Sequence, residues 1–339
     1  MIKLSHVSVS EEAIERVSDL LRCGQVGQSE VIEAFEKEFA KWLGVRHCVA
    51  VSSGTMADTI ALAVLKHFYP GRNKVIVPAH TFIAQINAIT YNNLTPVFID
   101  GPYGSAFKRD DYLCFFPVHL LGVPWRHKLE GMIPVIEDSC EAMGSKVDGV
   151  KCGSACDMGT FSFFPSHTIT TGEGGMISTN NDDFAALARR LRNHGKVSND
   201  DFHFDVIGFN AKMTCIQAAL GLEALKTIDD VIEKRRKNYF ELGGIDSPGE
   251  FISPHAFPLK FESRYKRDRA MLFFKEKGID CRNFFSSIPT QEKAYAHLGH
   301  KLGEFPVAEE YGEKWLYLPV HQGLTQDDIS HMKAAIREA

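Results

Sequence analysis

Residues 159–177 read Gly159-Thr-Phe-Ser-Phe-Phe-Pro-Ser-His-Thr-Ile-Thr-Thr-Gly-Glu-Gly-Gly-Met-Ile177. The aromatic run from Phe161 to Phe164 predicts a strand, and His167 falls at the bend that follows. Gly172, Gly174 and Gly175 let the backbone reverse into a second strand. A lone imidazole on an apolar segment is ordinarily a buried, hydrogen-bonded core residue. Whether His167 is that or a functional group depends on what the rest of the chain brings beside it.

Working outward from this stretch, short apolar strands at 47–51, 74–78, 96–100 and 134–138 are separated by segments of helical period. Helices are expected at 11–22, 29–43, 56–65, from Thr81 to about Asn92, and at 181–193. A long helix is expected from Ile216 to about Leu225, with a charged continuation to Leu242. This alternation predicts an α/β protein with a doubly wound, mostly parallel sheet, in which ligands gather at the carboxyl ends of the strands. Ser52-Ser53-Gly54-Thr55 joins a strand to a helix, and reads either as an anion site made by the free N–H groups and dipole of that helix or as an ordinary βα turn with a Ser/Thr cap. Asp138 ends another strand in a carboxylate. Gly243-Gly-Ile-Asp-Ser-Pro-Gly249 reads as a linker, dividing a large domain at 1–242 from a smaller α+β domain at 243–339.

Composition narrows the function. The 339 residues carry a net charge of −5 with Lys and Arg dispersed, which offers no basic stripe for nucleic acid. The N-terminal residues lack the apolar core of a signal peptide, and no stretch approaches the ~20 apolar residues of a membrane span. A cytoplasmic protein is expected. The eight cysteines stand mostly alone in predicted elements, as buried fillers do. Cys152 and Cys156 could begin a metal site, but no second close pair follows, so no metal is expected.

Taken in order, Ser53-Gly54-Thr55, Thr81-Phe82, Glu137-Asp138-Ser-Cys-Glu141, and Ser162 with His167 before Thr171-Gly-Glu-Gly-Gly resemble the DegT/DnrJ/EryC1/StrS sugar aminotransferase family. That family has the fold-type I architecture of pyridoxal-phosphate-dependent transferases. The resemblance extends to Arg192-Asn-His-Gly195, Gly208-Phe-Asn-Ala-Lys212 and Leu318-Pro-Val-His321. It implies pyridoxal 5′-phosphate or pyridoxamine 5′-phosphate as cofactor. Gly54, Thr55 and Ser162 match contacts to its phosphate. Phe82 matches an aromatic stacked on the ring, Asp138 the carboxylate facing the ring nitrogen, and Glu141 belongs with these cofactor contacts. Asn210 matches a residue that reaches the phosphate from a neighbouring subunit, implying a homodimer with shared sites. His194 and Lys212 are candidates for holding an anionic substrate.

One position departs from the pattern. Where the family's aminotransferases carry the lysine that links covalently to the cofactor, this chain has His167. The segment resembles the branch that has made this exchange, the nucleotide-sugar 3-dehydratases. A neutral imidazole is a competent base near neutral pH, so the resemblance implies that His167 withdraws a proton at the cofactor while the sugar's C3 hydroxyl leaves. The chain has no Cys-x-Cys pair, which places it with the cluster-free group that resembles GDP-4-keto-6-deoxymannose 3-dehydratase, where an amino acid such as glutamate restores the amine form. The implied substrate is a nucleotide-linked 4-keto-6-deoxyhexose. Two other readings stand beside this one, an aminotransferase working without its lysine and a catalytically silent relative that binds the cofactor or a sugar nucleotide. The segments between Asp100 and Val118 and between Gly122 and Pro134 are shorter than in relatives, so crossover helices there should be trimmed.

Overall fold

A computed structural model of the chain describes residues 1–101, 111–125, 133–198, 202–285 and 288–339. Two amphipathic helices open it, α1 (Glu11–Arg22) and α2 (Glu30–Leu43). Ser10 and Ser29 cap them through side-chain oxygens, and Gly44, at φ 90°, ends the second in a left-handed turn. Then β1 (His47–Val51), α3 (Gly54–Phe68), β2 (Lys74–Pro78), α4 (Ile83–Tyr91), β3 (Thr95–Ile99) and β4 (Tyr112–Phe115) alternate. They are followed by β5 (Ile136–Asp138), a small hairpin of β6 (Lys146–Val147) and β7 (Val150–Lys151), β8 (Met158–Ser162), β9 (Gly175–Thr179) and α5 (Asp182–Leu191).

Strands β1-β9-β8-β5 form one ladder and β3-β2-β4 another. Parallel bridges Phe115↔Val135 and Val118↔Asp138 join them edge to edge. The result is one sheet in which only β9 runs against the rest. This is the expected mostly parallel α/β sheet. Its strands are apolar along their length because helices cover both faces, and Val49, Val51, Val75, Val77 and Ile136 are all fully buried.

The stretch 159–177 forms the β8–β9 pair, with Ser162 opposite Gly175. A side chain at Gly175 would place its Cβ 2.3 Å from the Ser53 carbonyl, so only glycine lets β9 start against the turn that opens α3. The strand ends at Ser162, two residues before the sequence pattern suggests.

Beyond it lie α6 (Cys215–Leu225), α7 (Ile228–Glu241), β10 (Glu250–Phe251), β11 (Phe257–Lys260), α8 (Arg264–Glu276), β12 (Arg282–Asn283), α9 (Pro306–Lys314), β13 (Trp315–Leu318) and α10 (Gln326–Glu338). The expected single helix to Leu242 is two. Thr227 leaves helical geometry at φ −116°, ψ 9°, and Asp229 and Asp230 open α7 in the acidic first turn that a helix N-terminus favours. Antiparallel β11-β13-β12 packs with α8 and α10 around a second core that includes Phe274, Leu316, Leu318 and Met332. The expected trimming of crossover helices falls partly on residues 102–110 and 126–132, outside the described residues. Among the described residues, no helix is long and apolar enough to cross a membrane.

Candidate active site

A cavity of about 330 Å³ opens at the carboxyl ends of β1, β5 and β8, walled by the N-terminus of α3. It collects seven of the residues singled out in the sequence: Gly54, Thr55, Phe82, Asp138, Glu141, Ser162 and His167. At its α3 wall, the Ser53 hydroxyl accepts the Met56 N–H at 3.2 Å. The N–H groups of Gly54 and Thr55, in the first turn, have no carbonyl within the helix and are available to an anion. A methyl group at Gly54 would lie 2.7 Å from Ser162 Cβ and 3.3 Å from Cys140 Sγ. That close approach brings the Ser162 hydroxyl beside the helix N-terminus, and together they fit a phosphate.

Phe82 caps α4 without a side-chain bond and leaves 53% of its surface exposed. Its ring lies 5.8 Å from Phe285, an aromatic pair able to flank a planar ligand. Asp138 is buried at the floor, with Oδ1 accepting the Cys140 N–H at 3.1 Å. Burial raises its carboxyl above the ordinary range, and the Cys140 hydrogen bonds and His119 oppose that rise. A protonated ring nitrogen is the partner such a carboxylate lacks. Glu141 accepts the Leu121 N–H at 2.7 Å and lies 4.0 Å from His255 Nε2. Burial, with a smaller contribution from Asp138, pushes it up to about 7.

His167 sits in the same wall. Its backbone N–H closes a turn on Phe164, and its ring lies 5.4 Å from that of His255. The Nδ1 atom is sealed from solvent and has no hydrogen-bond partner. Burial, with the nearby Arg235 guanidinium, holds the imidazole neutral down to about pH 4. No described residue lining the cavity is a lysine.

The remaining predicted residues lie elsewhere. Lys212 lines a separate cavity of about 610 Å³ with Arg192 and Glu36, and its Nζ donates to Asn210 Oδ1 at 2.8 Å and Asn193 Oδ1 at 3.1 Å. His194 adopts φ 62° and donates its backbone N–H to the Phe209 carbonyl. Neither His194 nor Asn210 lines the His167 cavity. Sequence reasoning missed Asp58, His255, Arg282, Phe285 and Tyr317, which do line it. Asp58 carried a signal, an acid on an otherwise apolar helix one turn beyond Gly54. The other four come from distant segments with no local motif. Among the described residues, no group of three or more His, Cys, Asp or Glu is arranged to hold a metal ion.

Comparison with known proteins agrees with this architecture. The model of the DegT/DnrJ/EryC1/StrS aminotransferase family matches residues 7–103 and 116–337. The chain is 36% identical to GDP-perosamine synthase of Caulobacter vibrioides, covering 90% of this chain and 89% of that one. It is 32% identical to a UDP-N-acetyl-3-dehydro-α-D-glucosamine 3-aminotransferase of Acidithiobacillus ferrooxidans, over 90% and 87% of the two chains. The crystal structure of a DegT/DnrJ/EryC1/StrS aminotransferase from Brucella abortus superposes with a TM-score of 0.87 at 25% identity, over 96% of this chain and 95% of that one. The chain belongs to the DegT/DnrJ/EryC1/StrS aminotransferase family.

Proposed function

We propose that the protein is an enzyme of nucleotide-sugar metabolism that uses pyridoxal 5′-phosphate and pyridoxamine 5′-phosphate without a covalent link, and transfers an amino group to a nucleotide-linked keto sugar. The names of the relatives, a GDP-perosamine synthase and a sugar-nucleotide aminotransferase, support amino transfer as the reaction class. They do not support the dehydratase assignment drawn from sequence. The observation that carries the cofactor's mode of binding is His167: a neutral, unpartnered imidazole stands in the cavity, and no described lining residue is a lysine.

The cofactor, when bound, supplies an amine that condenses with a ketone and a ring that accepts electrons. The chain's own groups do the rest. Gly54, Thr55 and Ser162 hold the phosphate, Phe82 covers one ring face, and Asp138 keeps the ring nitrogen protonated. His167 takes and returns a proton through its imidazole, which burial keeps neutral and therefore able to accept one. Glu141 and His255 line the wall beside it. The site draws Gly54 to His167 from residues 1–242 and is closed by His255, Arg282, Phe285 and Tyr317 from 243–339, a division we propose as two domains. Asn210, His194 and Lys212 lie outside this cavity, and we assign them to a site shared with a second copy of the chain, Asn210 toward the partner's phosphate and the other two toward the anionic nucleotide. Glutamate is the proposed amino donor.

His167 itself favours a second reading, elimination of the sugar's C3 hydroxyl. An imidazole can move the protons of either reaction, but it cannot displace an amino-sugar product by forming its own link to the cofactor. The two readings separate in one experiment. Purified protein with pyridoxamine phosphate is offered GDP-, CDP- and dTDP-linked 4-keto-6-deoxyhexoses, and products are read by mass spectrometry. An amino sugar retaining its C3 oxygen supports amino transfer. Loss of that oxygen supports elimination, and no conversion of any sugar, with no glutamate-dependent turnover of the cofactor, sinks both.

A further inference from the structure

Helix α3 lays one face on the sheet, where Ala57, Ile60, Ala61 and Val64 are fully buried. Asp58 shares that buried environment with only 1% of its surface exposed. The neighbouring Thr59 returns its hydroxyl to the Thr55 carbonyl at 2.7 Å, whereas Asp58 Oδ1 is sealed from solvent with no hydrogen-bond partner. Beneath it, the parallel register sets Asp138 beside Thr160 on adjacent strands, so both side chains leave the same face of the sheet. The Thr160 hydroxyl is likewise buried and is the group that faces the Asp58 carboxyl from the sheet. Asp58 follows Gly54 by four residues, which puts it one turn below the phosphate cradle on the same side of the helix. It lines the cavity with Asp138. An unmet buried carboxyl oxygen is destabilising, and leucine or alanine would fill this helical position without that cost.

We propose that Asp58 is a positioning residue of the cofactor site: with Asp138 it forms a carboxyl pair that holds one proton in the open pocket and releases it to solvent when the cationic pyridine ring docks against Asp138. This rests on the cofactor reading above. Two carboxylates enclosed together repel, so one stays protonated until a cation arrives, and the only bond broken is that O–H, its proton passing to the buffer. The groups facing the pair are known. Burial and Asp138 both push Asp58 well above the ordinary carboxylate range, opposed by Thr160. Asp138 is raised by burial and steadied by Cys140 and His119. The Cys140 thiol, raised by burial and by both carboxylates, stays protonated.

The test uses the full chain as wild type, Asp58→Asn and Asp58→Leu, the last matching the apolar face should the amide disturb folding. Pyridoxamine phosphate is titrated calorimetrically near pH 6.5, where its free ring is already protonated, in buffers of different ionisation heat. Wild type should release about one proton more per site than either variant. In parallel, the apo proteins are melted from pH 5 to 8. Asp58 ionises in the unfolded chain before it does in the fold, so wild type should lose stability relative to both variants as pH rises. Equal proton release in all three proteins with binding intact overturns the role of Asp58 and leaves the cofactor reading standing. Failure of wild type to bind pyridoxamine phosphate overturns both, whatever the apo melts show.

Discussion

Replacing Glu141 by glutamine should make the apo protein more stable in alkali and change little in acid. Burial moves this carboxyl from 4.5 to about 7. Its pKa is therefore higher in the fold than in the unfolded chain, so the stability it allows is fully present below pH 4.5 and is lost as pH rises through about 7. At ~1.4 kcal/mol per pKa unit the full shift is worth about 3 kcal/mol, of which roughly a quarter is already lost at pH 5 and nearly all at pH 8. The difference, about 2–3 kcal/mol, belongs chiefly to Glu141, because Asp58 and Asp138 titrate in both proteins and Asp138 is the smaller contributor to the Glu141 shift. Glutamine keeps an oxygen to accept the Leu121 N–H, which Glu141 holds at 2.7 Å. With an unfolding entropy of ~2 cal/mol/K per residue over 339 residues, the melting-temperature gap between variant and wild type should widen by about 3–4 °C from pH 5 to pH 8. Thermal melts of the apo proteins at unit steps of pH measure it. A gap that stays constant would mean that Glu141 is ionised in the fold, and that the burial assigned to it is wrong.

Four further outcomes follow from the cavity. Gly54→Ala forces a methyl to within 2.7 Å of Ser162 Cβ, so α3 must withdraw from β8, and affinity for pyridoxamine phosphate should fall at least about tenfold by calorimetry. Borohydride treatment of wild type with pyridoxal phosphate should leave no cofactor on the denatured chain, while His167→Lys should retain it; a labelled wild-type lysine would refute the reading of this site. His167→Asn should abolish turnover and leave cofactor affinity within a few-fold. Because burial and Arg235 hold the imidazole at about 4, its protonation should not bring down kcat/KM until the pH is well below the 6.5 of an ordinary histidine.

Much of the fold was legible because its signals are local. Strands β1 and β2 appear at their predicted limits, since continuous apolar runs bounded by turn residues mark buried parallel strands. The break at Thr227 was not legible: the charged stretch after it keeps helical period, and only the backbone shows the two axes parting. The phosphate cradle was legible for the same local reason as the strands, because the turn from β1 into α3 is contiguous in sequence. The far wall was not. His255, Arg282, Phe285 and Tyr317 reach the cavity from segments 88 to 150 residues beyond His167, and nothing within any one of them marks it as cavity-facing.

His167 shows why a sequence alone leaves such a residue open. Two other buried histidines of this chain are tied down, as core imidazoles generally are. His80 Nε2 is 3.0 Å from the Phe284 carbonyl, and His321 Nε2 is 3.0 Å from that of Lys3. Each is then committed to a tautomer by its partner. His167 Nδ1 has no such partner, and the residue lines a cavity whose other walls offer an anion cradle, an exposed aromatic face and a buried carboxylate. A ring nitrogen left unmet in the core costs on the order of 1–3 kcal/mol, a cost that a purely structural histidine would have shed by rotation or substitution. A ring nitrogen already held by a backbone hydrogen bond cannot itself take a further proton, and Nδ1 of His167 is not so held, which leaves the tautomer of this imidazole free to be set by a bound ligand.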